Sequence, residues 1–422
     1  MTTPLAPPEA ATRTLADDEA AAIVADSVRS LGLDGARVLL IIPDDTRSGP
    51  IGAILRSVAA AVGDRVRALD VLVALGTHRP MPPDRIDRHL GIDAAYRAKH
   101  LPGTRFLNHA WDDPDALRTI GTIGPETLRD LSGGRLSGAV DVKINKMIFD
   151  YDHLLIIGPT FPHEVVGFSG GNKYFFPGIA GPEIIDTFHW LGALITNRDV
   201  IGTRYTPVRA VVDHCAAMID VPRHCLSLVV SKRGLHGIEF GTPEEAYDRA
   251  ARLSAEVHVR RFPRPFHTVV SICPEMYPEL WTAGKCMYKL EPVVAPGGRL
   301  IIYGPHLAEV SKTHGRWIEE VGYHVLPYFS TRLDMFRHVP LGVLAHSTHV
   351  KGRGEFEGGV EAPDVDVVLA TAIPPEVCRR INLGYLDPAT LDVDSYRGRE
   401  DEGILVVDRA GEVLHRLEGD AS

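Results

Sequence analysis

The stretch from Ile156 to Trp190 reads IIGPTFPHEVVGFSGGNKYFFPGIAGPEIIDTFHW. An apolar run ends at Gly158, a loop dense in glycine follows, and Gly181-Pro182-Glu183 puts proline at a favoured first helical position, so the order reads strand, loop, helix. The loop carries His163 and Lys173 among Gly158, Gly167, Gly170, Gly171, Gly178 and Gly181, with His189 just beyond it. Glycine lets a backbone take positive φ and approach a ligand closely. Glycine, lysine and histidine in one loop therefore read as a cofactor seat rather than as core.

The same grammar extends outward. Upstream, a helical pattern over Asp17 to Leu31 precedes the apolar run Val38-Leu-Leu-Ile-Ile-Pro43, which ends in Asp44-Asp-Thr-Arg47; a helix is expected over Ile51 to Val62. The run Leu69-Asp-Val-Leu-Val-Ala-Leu75 then meets Gly76-Thr-His78-Arg79. Short apolar runs alternating with helical patterns predict parallel strands with crossover helices, and open sheets of that kind bind ligands beyond the carboxyl ends of their strands. Three strand ends thus deliver His78, His163 and the Asp44/Arg47 pair to one edge. Strands and a helix are expected between Phe106 and Ile144, around the loop Leu131 to Arg135.

Downstream, helices are expected near Pro207 to Met218 and Thr242 to Val257, with a strand at Leu226 to Val230. The proline-rich Arg260-Arg-Phe-Pro-Arg-Pro265 marks a boundary. Further strands are expected at Val269 to Cys273, Arg299 to Tyr303, His324 to Pro327 and Val365 to Leu369. The turn at Arg409-Ala-Gly411 between two apolar runs reads as a hairpin. The expected organisation is α/β: two α/β domains with mainly parallel Rossmann-like sheets and the active site in the interdomain cleft. Residues 1–262 form the N-terminal catalytic, cofactor-binding domain and 263–395 the substrate-side domain. Residues 396–422 form a hairpin packing back on the first domain.

Composition narrows the class. With 422 residues, 45% of them hydrophobic, the chain exceeds one comfortable domain. A net charge of -10 without a Lys/Arg run argues against a nucleic-acid surface. Five cysteines without CxxC spacing suggest neither a disulfide framework nor structural zinc, and fit a reducing, cytoplasmic setting. No run of about 18 apolar residues and no signal-peptide pattern occurs, so no membrane partner is expected.

Two nucleotide motifs fail. Asn172 separates Gly171 from Lys173 and Tyr174 stands where a P-loop needs Ser or Thr, while Gly167-Phe-Ser-Gly-Gly171 lacks the GxGxxG register. Backbone N–H groups of the loop can still hold a phosphate. Lys173 in apolar surroundings either loses its charge or acts as a nucleophile, against the bland reading of a surface lysine. His189 beside Phe188 and Trp190 is either a ligand or a core histidine. His78 and His163, each after a strand, suit an acid/base pair because imidazole titrates near working pH. Asp44 and Arg47 read equally as cap and surface charge or as a fork for a carboxylate or phosphate.

The run His163-Glu-Val-Val-Gly-Phe-Ser-Gly-Gly-Asn-Lys173-Tyr-Phe-Phe-Pro-Gly178 with His189, preceded by Asp44-Asp-Thr-Arg47 and Gly76-Thr-His78-Arg79, resembles the signature of the nickel-pincer-dependent lactate racemase family. The resemblance implies a nickel held by a pyridinium-3-thioamide-5-thiocarboxylic acid mononucleotide tethered covalently to Lys173, with His189 as the protein ligand to the metal. It makes His78 and His163 the acid/base pair, places Asp44 and Arg47 around cofactor and substrate, and lets Gly170 and Gly171 admit the nucleotide phosphate. The implied reaction is racemisation or epimerisation of a 2-hydroxy acid by reversible hydride transfer to the cofactor. Separate cofactor-building enzymes are the implied partners.

The second domain resembles the family less. Tyr277-Pro-Glu-Leu-Trp-Thr-Ala-Gly-Lys285-Cys-Met-Tyr288-Lys289 offers Lys285, Tyr288 and Lys289 as substrate contacts, with helix-surface charge as the competing reading. His346-Ser-Thr-His349-Val-Lys351 is either a pocket wall or a solvated loop. A larger or more polar hydroxy acid, such as a sugar acid, is as well supported as lactate. An isomerase or dehydratase with a different cofactor, or a non-catalytic cofactor binder, are the alternatives; paired histidines speak against the last.

Overall fold

The structure is a computed structural model that describes residues 13–47 and 49–420. The N-terminal tail, residues 1–12, lies outside them. Six strands form the first sheet, in the order Gly234–Gly241, Arg223–Ser231, His153–Pro159, Arg37–Pro43, Ala68–Ala74, Phe106–Asn108. All neighbours run parallel except the first two. Side chains alternate across a strand. Val38, Leu40 and Ile42 accordingly join one core with Val24, Val28 and Ile54 from the helices Asp17–Arg29 and Ile51–Val62, while Leu39 and Ile41 join a second with Val208 and Phe188 on the opposite face. Coverage on both faces is why these strands read as continuous apolar runs.

The second sheet is all parallel, in the order Gly384–Leu386, Val365–Thr371, Val294–Gly304, Phe266–Ile272, Ile404–Val407. The helix Pro182–Ile195 ties the halves together. Its Phe188 and Leu191 pack into the core that Leu39 and Ile41 join on the first sheet, its Trp190 and Ala193 pack into the core of the second sheet, and Asp186 accepts the backbone N–H of Gly342 at 3.1 Å. His189 therefore sits on the seam.

Three sequence expectations are corrected. Among the described residues no terminal hairpin forms: Ile404–Val407 extends the second sheet beside Phe266–Ile272, and Leu414–Leu417 pairs in parallel with Val259–Phe262. Both apolar runs find open strand edges elsewhere, so the turn joins two sheets instead of two antiparallel partners. His324 to Pro327 is not a strand, because Pro327 cannot donate to a ladder and instead opens the short helix Leu326–Ser330. The segment from His346 to Lys351 is not a solvated loop but the buried end of the helix Leu341–Lys351. All five cysteines are free and buried.

Candidate active site

The strands His153–Pro159, Arg37–Pro43 and Ala68–Ala74 are neighbours, so the loops at their carboxyl ends converge. His78 is anchored first. Its Nδ1 lies 2.5 Å from the Asp44 carboxylate, which also accepts the Thr46 hydroxyl at 2.6 Å and the Thr46 N–H at 3.2 Å. Burial alone would raise the Asp44 pKa, but His78, Arg47 and Thr46 hold it well below the usual carboxylate range. An ionised Asp44 only accepts, so the proton of neutral His78 sits on Nδ1 and its half-exposed ring presents an Nε2 lone pair.

The glycine loop is braced from below. Gly76 N–H donates to the Gly178 carbonyl at 2.9 Å, joining the His78 loop to the Lys173 loop. The Arg209 guanidinium donates to the carbonyls of Phe168 (2.6 Å) and Gly170 (3.2 Å), and the Asn172 amide donates to Asp213 and Glu244. Gly170 and Gly171 take φ of 92° and 57°. Close packing accounts for both: a Cβ would lie 2.1 Å from the Thr160 hydroxyl at Gly170, and 2.8 Å from both the Pro243 carbonyl and the Tyr247 Cβ at Gly171. Gly171→Ala is expected to cost about 1–3 kcal/mol in strain and overpacking; a denaturant titration measures it, and an unchanged midpoint refutes the packing account.

This brace leads Lys173 into the centre. Burial chiefly, with Arg47 and Arg209 adding, depresses its amine to about 7. Lys285 is likewise brought to about 7 and Lys289 to about 8, burial leading in each case. The folded state thus releases these protons well below the unfolded value of 10.5. Between about 7 and 10.5 the unfolded chain binds more protons, so these groups make the protein more stable as pH rises through that window. Trace acetylation is expected to modify Lys173 with a midpoint near 7, ahead of exposed lysines; a midpoint near 10.5 would remove the activated amine.

His189 Nδ1 lies 2.6 Å from the Ile185 carbonyl, so it carries the proton and leaves Nε2 as a lone-pair donor. Burial pushes its pKa down to about 4, which keeps it neutral. His163 is buried, and burial likewise holds it well below its ordinary value. The titratable or charged groups that act on it are Glu164, Lys173, Arg47 and His189.

A cavity of about 1120 Å³ opens between the halves and meets this centre at Thr46 and Arg47. Arg47 and Phe161 stand on one wall, Tyr277, Lys285 and Lys289 on the other. Phe161 bridges them: the Arg47 guanidinium carbon is 5.4 Å and the Lys289 ammonium 5.3 Å from its ring centroid. Lys285 lies 4.8 Å from the Tyr277 ring centroid. Tyr288 does not join that wall; it is buried, its phenol pushed up by burial and by the Glu164 carboxylate.

Glu164 and His314 escaped the sequence reading, which offered His349 as part of a pocket wall or of a solvated loop. Glu164 is the carboxylate that faces His163, Lys285, Lys289 and His349. His314, lowered to about 4 by burial with His78 and His189 adding, faces the pair from the second half and packs 4.4 Å from the Trp281 ring. His349 is buried, and its Nε2 has no hydrogen-bond partner among the described residues. The adjacency of His163 and Glu164 was the available signal for one of these; the others come from distant elements.

The geometry defines a class first: an α/β protein of two parallel sheets, with imidazoles and a depressed lysine amine gathered at the carboxyl edge of one of them. Residues 12–202 match the lactate racemase N-terminal domain. The chain is 30% identical over 174 residues to the lactate racemase of Lactiplantibacillus plantarum, spanning 40% of this chain and 35% of that protein. It is 28% identical over 154 residues to that of Thermoanaerobacterium thermosaccharolyticum, spanning 36% of this chain and 32% of that one. The matched stretches thus span about a third of these relatives. A crystal structure of a Thermotoga maritima protein superposes with a TM-score of 0.87 at 32% identity, covering 96% of this chain and 99% of the other. The lactate racemase apoprotein of T. thermosaccharolyticum shares the fold, with a TM-score of 0.75 at 17% identity over 96% of this chain and 93% of that one. The first half of the chain is thus similar to the N-terminal domain of lactate racemases, and the whole chain shares the fold of the lactate racemase apoprotein.

Proposed function

We propose that this protein inverts the Cα stereocentre of a 2-hydroxy acid, using a nickel-pincer nucleotide built by separate enzymes and tethered to Lys173. The observation that carries the reading is the convergence of His78, His163 and Lys173 at one sheet edge with His189 of the helix Pro182–Ile195 beside them. The residues fit the group. Lys173 offers a neutralisable amine for acylation, and His189 a neutral, oriented Nε2 for metal. Among the described residues no cluster of three or more His, Cys, Asp or Glu stands ready to hold a metal ion; in the proposed reading the pincer nucleotide would supply the donors beside His189.

When bound, that group supplies a reversible acceptor for the substrate's Cα hydride. The chain supplies the rest. His78 Nε2, held by Asp44, takes or returns the hydroxyl proton of one enantiomer, and His163 serves the other. Arg47 and Lys285 suit the substrate carboxylate. The cavity adjoins the centre at Thr46 and Arg47, and its cationic wall at Lys285 and Lys289 suits an acidic, polar substrate.

The test is to produce the protein with and without the cofactor-building enzymes, then combine intact mass, nickel analysis and incubation with single enantiomers of lactate and of sugar acids. An adduct on Lys173, bound nickel and accumulation of the opposite configuration are expected. Neither adduct nor nickel under loading conditions would overturn the cofactor assignment. Loaded protein that inverts no hydroxy acid would overturn the reaction.

A further inference from the structure

We infer that Glu164 is a positioning residue for His163, its carboxylate receiving the Nδ1–H of the imidazolium as Asp44 receives that of His78. The inference rests on the proposed acid/base role of His163. Two groups compete for His163 Nδ1: the Val165 backbone N–H donates to it at 3.1 Å, and Glu164 Oε2 lies 3.4 Å away. While Nδ1 accepts from Val165, the single proton of the neutral ring sits on Nε2. That ring can give up the proton near neutral pH only by first gaining another on Nδ1.

Once Nδ1 is protonated, the Val165 N–H opposes it and a carboxylate must accept. Glu164 is the group in place. The other charged or titratable groups that face His163, namely Lys173, Arg47 and His189, all oppose a second proton. Glu164 is itself ionised: burial alone would raise its pKa, but His163, its own backbone N–H, Lys285 and His349 hold it low. It is also a counter-charge for Lys173, His189, Lys289 and His346.

The proton count then closes. The imidazolium passes its Nε2 proton to the substrate oxygen and keeps Nδ1–H on Glu164, which remains a carboxylate throughout. The product is a neutral ring with a free Nε2 lone pair, the form that accepts a hydroxyl proton in the reverse direction. Two carboxylate–imidazole pairs, Asp44–His78 and Glu164–His163, thus serve the two configurations.

The experiment follows the histidine ring nitrogens by NMR in ¹⁵N-histidine-labelled protein without cofactor, with His163→Gln assigning the signal. In Glu164→Gln the pH at which His163 gains its second proton should fall below that of wild type. Glu164→Asp should move it in the same direction by less. In loaded enzyme, Glu164→Gln should lower kcat about 100-fold and displace the acid limb of the pH profile, with Glu164→Asp recovering part of the loss. Superimposable His163 titrations in wild type and Glu164→Gln overturn the inference, as does a wild-type His163 that gains no second proton before acid unfolding. If Glu164→Gln does not fold by circular dichroism, Glu164→Asp carries the same test. The ring titration is read without turnover, so failure of the racemase reading leaves it standing and remains distinguishable.

Discussion

Asp44→Asn is expected to lower kcat/KM by about 10³–10⁴-fold while leaving the protein folded, because it removes the acceptor that fixes the His78 tautomer. The amide can present either its oxygen or its NH₂ to Nδ1. When it donates, the imidazole proton moves to Nε2 and the lone pair that should face the substrate is lost. The 2.5 Å contact to a buried, ionised Asp44 makes this the firmest hydrogen bond among the proposed catalytic groups. Steady-state rates in both reaction directions check it, beside His78→Gln as the reference for complete loss. Activity within tenfold of wild type in Asp44→Asn would remove His78 from the acid/base role.

Lys173→Ala should abolish both activity and the covalent adduct. An amine depressed to about 7 is largely unprotonated near neutral pH and can act as the nucleophile the proposed tether requires, and alanine supplies none. Lys173→Arg is the sharper variant. Guanidinium keeps a cation in place but cannot deprotonate, so it too should show no adduct by intact mass. The bracing contacts of Arg209 and Asn172 do not involve the Lys173 amine, so thermal unfolding of Lys173→Ala should stay near that of wild type. An adduct retained in Lys173→Ala would move the tether to another residue, with Lys285 and Lys289 the first to examine, since their amines are depressed by the same burial.

Much of the first half was legible because its signals are local. Apolar runs bounded by polar turns marked the strands Arg37–Pro43, Ala68–Ala74 and His153–Pro159, and Pro182 marked the start of the helix that carries His189. The second half was harder for identifiable reasons. The run from Ile404 to Val407 has the hydrophobicity of a hairpin arm, yet its partner is Phe266–Ile272, more than a hundred residues earlier. Lys285 and Lys289 read either as substrate contacts or as helix-surface charge, and their packing against Tyr277 and Phe161 places them on a cavity wall. The glycines of the loop were read as space for a phosphate; Gly170 and Gly171 are first of all demanded by contact with Thr160, Pro243 and Tyr247.

By itself the sequence determined the strand–loop–helix grammar and the parallel α/β class, because periodicity, glycine and proline act over a few residues; it named His78, His163, Lys173 and His189 as candidates through their resemblance to a family signature. Only the tertiary structure decided which proton each imidazole carries, that Glu164 faces His163, and that the Lys173 and Lys285 amines are depressed. Those properties depend on burial and on distances between groups far apart in the chain, which no local pattern encodes.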